Sequence, residues 1–202
     1  MILPSNGTRF QKVVSRCDAA HREDPRLVTR HAEETQWSFL YHQRLSYWVE
    51  YLDPNASEEL RLAARCQHIR RWMIPRSDYP EGVSGYRRWR SDLARFHADQ
   101  ASQILREAGY EKATISRVRD LLIKKGLKHD LEVQLFEDAI CLVFLENEFS
   151  DFAGKHERGK LVRALRKIWM KMSPRGQEVA KQLVEEFPKG LQKLVSEAID
   201  TD

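Results

Sequence analysis

The run Trp37-Ser-Phe-Leu-Tyr-His-Gln-Arg-Leu-Ser-Tyr-Trp-Val-Glu-Tyr-Leu52 sets the structural class of this chain. Trp37, Leu40, Tyr41, Leu45, Trp48 and Leu52 recur at the three- and four-residue intervals that line one face of a helix. Asp53-Pro54 then stops the run, because a residue before proline is driven out of helical backbone. The same spacing dominates the rest of the sequence, and two-residue alternation of β-branched side chains is almost absent. Glycines and prolines number only 9 and 7 and fall where helices would stop. The chain therefore reads as all-α, a helical bundle.

Downstream, Asn55 with Glu58 three residues on reads as the start of a helix that runs through His68 to about Trp72. Residues 74–85 hold two prolines and two glycines and read as a loop. A long helix begins at Ser84 or Gly85, passes Trp89, Leu93, His97, Ala101, Ile104 and Leu105, and closes at Gly109. Glu111–Lys124 makes a shorter helix ended at Gly126. Leu131 to about Phe152, apolar on most sides, is expected to be the central helix. A basic amphipathic helix follows at Glu157–Lys171, then a cap and first-turn proline at Ser173-Pro174, and helices at Glu178–Phe187 and Leu191–Ile199. Upstream, residues 1–35 read as irregular or weakly helical, with a stop at Asp24-Pro25. The expected organisation is one domain over residues 1–202, with 1–35 packed on it and 155–202 as a C-terminal helical extension.

Composition narrows the function classes. The longest apolar run, Ala139–Leu145, is far short of a membrane span, so no membrane partner is expected. The N-terminus turns polar after Met1-Ile2-Leu3 and lacks the apolar core of a secretory signal. Cys17, Cys66 and Cys141 show no short pairing such as Cys-x-x-Cys, so they read as small core residues in a reducing, cytoplasmic compartment. A net charge of +4 permits an anionic partner without demanding one. No glycine-rich nucleotide-binding signature is present.

The chemistry-bearing residues are few. His97 shares a helical face with Leu93, Ala101 and Ile104, and His68 one with Leu60 and Ala64, so both rings are expected to point inward. Asp138, beside Glu137, has Leu131, Leu135, Leu142 and Leu145 at helical spacing. A carboxylate in such a setting must find a cation, a histidine or strong donors. Each of these residues admits two readings, a satisfied core group or a member of a metal or acid–base site. His21, His31, His129 and His156 lie in polar surroundings and read as surface residues. Between Leu60 and Phe96 the cations are all arginine, nine of them and no lysine. Arginine's planar fork suits phosphate or carboxylate, which points to an anion site bordering His68 and His97 and served by Arg71, Arg76 and Arg90. Trp72, Tyr79, Tyr86 and Trp89 interleave with these arginines, and such a surface suits either a pinned loop or a nucleic-acid partner.

The string Ala63-Ala64-Arg65-Cys66-Gln67-His68-Ile69 is similar to the second helix of HD-superfamily phosphohydrolases. The resemblance implies an HD-like bundle in which a divalent metal ion activates water against a phosphoester. It would make His68, His97 and Asp138 metal ligands, with His42, Asp18 or Asp24 as additional ones and Glu137 beside the catalytic set. Ile69 stands where that superfamily has its defining aspartate. Over nearly its whole length the chain also resembles domain-of-unknown-function family 4202, through Asp18–Pro25, Gln67–Trp72, Gly85–Arg90, Phe96-His97-Ala98, Glu137–Leu145 and Trp169–Ser173. Two functions are expected from these readings. One is a metal-assisted hydrolase of a phosphorylated small molecule or nucleotide; the other is a non-catalytic binder of nucleic acid or an acidic partner.

Overall fold

The computed structural model describes residues 8–30 and 32–199, and it is helical almost throughout. The chain divides into two compact units, residues 1–125 and 126–202. His31, read as a surface residue, lies outside the described residues.

The first unit opens with a regular, capped helix where irregular or weakly helical chain was expected. α1 spans Arg9–His21, and a capping box starts it: the Thr8 hydroxyl accepts from Gln11 N at 3.2 Å while Thr8 N donates to the Gln11 side chain at 2.8 Å. Val13, Cys17, Ala20 and His21 form its buried face. A short antiparallel hairpin follows, β1 (Leu27–Arg30) against β2 (Glu33–Gln36), pairing Leu27 with Gln36. Asp24 pins it, since its buried carboxylate accepts from Arg26 N at 2.9 Å and from both Ser38 N and the Ser38 hydroxyl.

α2 (Trp37–Leu52) ends at Asp53 as the proline implies, and Leu40, Tyr41, Leu45, Trp48 and Leu52 are buried on it. α3 spans Glu58–Cys66, and its cap is Ser57, whose hydroxyl accepts from Leu60 N at 3.1 Å. Asn55, the expected cap, instead closes a turn on Asp53. The greater departure is at the other end, because α3 stops at Cys66 and does not reach Trp72. His68 and Arg70 adopt positive φ of 58° and 51°, an unusual state for side-chain-bearing residues. Ile69, between these two left-handed residues, is fully buried.

Two short 3₁₀ turns, Arg71–Met73 and Arg76–Asp78, lead to α4 (Gly82–Glu107). Gly85 is required there, since a Cβ would lie 1.9 Å from the Pro80 carbonyl oxygen. α5 (Lys112–Leu122) packs on α3 and α4. Leu45, Leu60, Leu62, Leu93, Leu105 and Leu121 fill the space between these helices. Each such burial contributes about 2 kcal/mol.

The second unit begins with α6 (Leu131–Asn147), capped by Asp130, which accepts from Glu132 N and Val133 N. The expected helix to Phe152 breaks at Glu148 and resumes as the short α7 (Phe149–Gly154). α8 (Arg158–Lys171), α9 (Pro174–Glu185) and α10 (Lys189–Ile199) complete the unit, with α6 against α8 and α9, and α10 against α8. No described helix is long and apolar enough to cross a membrane.

Candidate anion-binding site

Four histidines meet inside the first unit. His21 on α1 and His42 on α2 stack face to face, with ring centroids 3.5 Å apart and planes within 11°. Tyr41 stands beside His42 at 5.2 Å and beside His68 at 5.1 Å, and His68 meets His97 of α4 edge-on at 5.6 Å. His21 is buried, which corrects its surface reading: once α1 is a helix, His21 falls four residues after Cys17 on the buried face.

These imidazoles resist protonation. Burial lowers His21 from its ordinary 6.5 to about 4, and burial with Arg71 and Arg90 nearby lowers His97 to about 3. His42 and His68 are also pushed well below the ordinary range, His42 by burial and then its histidine neighbours, His68 by burial and then Arg71. The hydrogen bonds fix two tautomers. His21 donates through Nε2 to the Arg65 carbonyl at 2.8 Å, and His42 donates through Nδ1 to the Ser38 carbonyl. The remaining atoms, His21 Nδ1 and His42 Nε2, are therefore bare lone pairs, buried without a hydrogen-bond partner among the described residues. His68 Nδ1 and His97 Nε2 are likewise buried and without such a partner.

His68 and His97 open onto a cavity of about 420 Å³. Gln67, His68 and Arg71 reach it from the left-handed turn after α3. Arg90, Ser91, Arg95 and His97 come from α4, and Lys124 from just beyond α5. No carboxylate is among the residues that line it. Arg95 is held by Asp92, whereas Arg90 forms no ion pair among the described residues. The Arg71 guanidinium lies over the Trp89 ring at 4.8 Å, and Trp89 is fixed in turn by its Nε1 donating to the Ile74 carbonyl at 2.9 Å. Sequence reading identified four of the cavity's polar groups, His68, His97, Arg71 and Arg90. It missed Gln67, Ser91, Arg95 and Lys124, which carry no local pattern and are gathered only by the meeting of three elements.

Other candidates have different surroundings. Arg76 donates to the Tyr79 and Pro80 carbonyls at 2.8 and 2.9 Å, so it holds the loop and does not line the cavity. Asp18 pairs with Arg65, Asp24 holds the hairpin, and His42 stacks on His21. Asp138 and Glu137 belong to the second unit. There Asp138 accepts from Ser173 N at 2.8 Å, from the Ser173 hydroxyl and from Gln134 Nε2 at 3.0 Å, and buried Glu137 faces Lys171 at 3.4 Å. Burial raises the Asp138 carboxyl above the usual range, against the pull of these donors.

A divalent ion does not suit this donor set. Arginine and lysine side chains flank the two imidazoles, Ile69 offers no ligand, and among the described residues no three His, Cys, Asp or Glu side chains are grouped to hold a metal. Elemental analysis of protein purified without a metal-affinity column is expected to find less than one divalent ion per chain. One equivalent that disappears in His68→Ala would restore the metal-site reading.

These features define an all-α protein whose first unit carries a basic, imidazole-lined cavity. The chain belongs to the family described as a domain of unknown function, DUF4202, whose model matches residues 11–195. No curated protein and no solved structure matches it.

Proposed function

We propose that the protein binds a phosphorylated small molecule in the cavity between the turn after α3 and α4, and hydrolyses its phosphoester there. One observation carries this reading: Arg71, Arg90, Arg95 and Lys124 line a cavity with two neutral imidazoles, half-buried His68 and buried His97, and no carboxylate lines it. Such a site repels cations and gains from an anion, since the guanidinium forks match phosphate oxygens and a dianion offsets the positive field around the imidazoles. A bound dianion also raises the proton affinity of His68 and His97. Each imidazole then becomes able to take a proton from water as its oxygen attacks phosphorus, or to return one to the departing oxygen. Buried, unbridged Cys17, Cys66 and Cys141 agree with a cytoplasmic setting.

Isothermal titration calorimetry with ribose 5-phosphate tests the reading. We expect one saturable site per chain, weakened about tenfold to a hundredfold in Arg90→Ala, the loss of one charge-assisted contact. Arg163→Ala, an exposed arginine of the second unit, should leave the affinity unchanged. Absence of saturable binding, or equal weakening by both substitutions, would overturn it. A second reading, nucleic-acid binding by the same arginines and aromatics, predicts instead an affinity for single strands that falls steeply with salt.

A further inference from the structure

The cavity-facing stripe of α4 continues beyond the cavity. Arg90, Ala94 and His97 line the cavity at the spacing of one helix face. Extended towards the start of the helix, the same face carries Tyr86 and Val83, four and seven residues before Arg90. Both are apolar and exposed, Tyr86 at 50% and Val83 at 68%. Side chains on a helix lean towards its N-terminus, so Tyr86 stands on the side of Arg90 towards which a long side chain at this position leans. Trp89 backs this ledge: its ring lies 5.8 Å from Tyr86 and is held by the Ile74 carbonyl on one side and Arg71 on the other. An exposed aromatic beside a fixed indole, one helical turn from an arginine without an ion pair among the described residues, has the composition of a base-stacking ledge.

The geometry points to a ligand with two parts: a phosphate held by Arg90, Arg71 and the imidazoles, and a planar ring stacked on Tyr86, as in a nucleoside monophosphate. This rests on the phosphate-binding reading of the cavity and adds the class of ligand. Tyr86 and Arg90 lie a full turn apart, about 5–6 Å between their Cβ atoms. A ring carried on a sugar has the reach and the freedom to lie flat on Tyr86 while its phosphate stays with Arg90, whereas a ring bonded directly to phosphate has its plane tied to the phosphate's position. Met73, exposed at 59% in the turn that follows Arg71, provides further apolar surface in the same region of the chain.

The test compares adenosine monophosphate, ribose 5-phosphate and phenyl phosphate on the full chain, by calorimetry and by quenching of tryptophan fluorescence. Adenosine monophosphate is expected to bind about tenfold more tightly than the other two. Tyr86→Ala should remove that advantage, leaving adenosine monophosphate at the affinity of ribose 5-phosphate, and Tyr86→Phe should retain it. Arg90→Ala should weaken all three. Because Tyr86 is exposed, the alanine variant tests stacking without disturbing the core. If ribose 5-phosphate binds but adenosine monophosphate gains nothing over it, or if Tyr86→Ala leaves the advantage intact, the stacking ledge is wrong while the phosphate site stands. If none of the three binds, the phosphate site itself fails and the ledge with it.

Discussion

The first unit is expected to lose stability steeply as pH falls from 6.5 towards 4. In the unfolded chain each histidine takes up its proton near pH 6.5, but in the fold His21 does so only near 4 and His97 only near 3. Between those values the unfolded state binds more protons than the folded one, so acid favours unfolding. Stability from these neutral imidazoles is complete above pH 6.5 and is lost as pH drops through the window below it. Moving His21 from 6.5 to about 4 corresponds to about 3 kcal/mol by itself. The four rings interact, so their effects will not sum. Tryptophan fluorescence reports the event selectively, because Trp37, Trp48, Trp72 and Trp89 lie in the first unit and only Trp169 in the second. Urea midpoints measured from pH 7.5 to 4.5 should fall, and His42→Phe, which removes one titrating ring from the stack, should make the fall shallower. A midpoint that stays level across this range would show that the cluster is not held neutral.

The second large effect is expected at Asp138. Its carboxylate receives the Ser173 amide, the Ser173 hydroxyl and Gln134, and Ser173 is itself the N-cap of α9, accepting from Gly176 N at 3.0 Å. Gly176 packs against it so closely that a Cβ would lie 2.6 Å from the Asp138 carboxyl carbon. Asp138→Ala strands the half-buried donors of Ser173 and Gln134 and loosens the start of α9, at a cost of about 2–3 kcal/mol. Ser173→Ala should remove much of the same network, so the double variant should cost clearly less than the two singles added together. Denaturation followed at Trp169 measures this. An Asp138→Ala protein within about 0.5 kcal/mol of the parent, the range of ordinary surface changes, would remove the structural role of this carboxylate.

Asp138 also marks where sequence reading reached its limit. Its leucine neighbours signal a buried carboxylate that requires partners, and that much is correct. Its main partner, Ser173, lies 35 residues away in the chain and is neutral, one of the strong donors that the spacing called for without naming which residue supplies them. The missed helix α1 is a different case, because its signal was local: Thr8 and Gln11 have capping-box spacing, and Val13, Cys17, Ala20 and His21 have helical spacing. The end of α3 had no such signal. No glycine or proline marks Cys66, and the left-handed backbone that follows falls on His68 and Arg70, residues that disfavour this conformation.

What the sequence determined by itself was the helical class and most helix ends, since both depend on contacts within a few residues. Apolar spacing selects the buried face, and Asp53-Pro54, Gly109 and Ser173-Pro174 act on backbone conformation where they stand. Tertiary structure alone decided the site. The His21–His42 stack, the placing of His68 and Arg71 by two left-handed residues, and the gathering of Arg95 and Lys124 around them depend on side chains brought together from elements far apart in the chain. The neutrality of the imidazoles depends on it too, because burial is a property of the packed fold and leaves no mark on the local sequence.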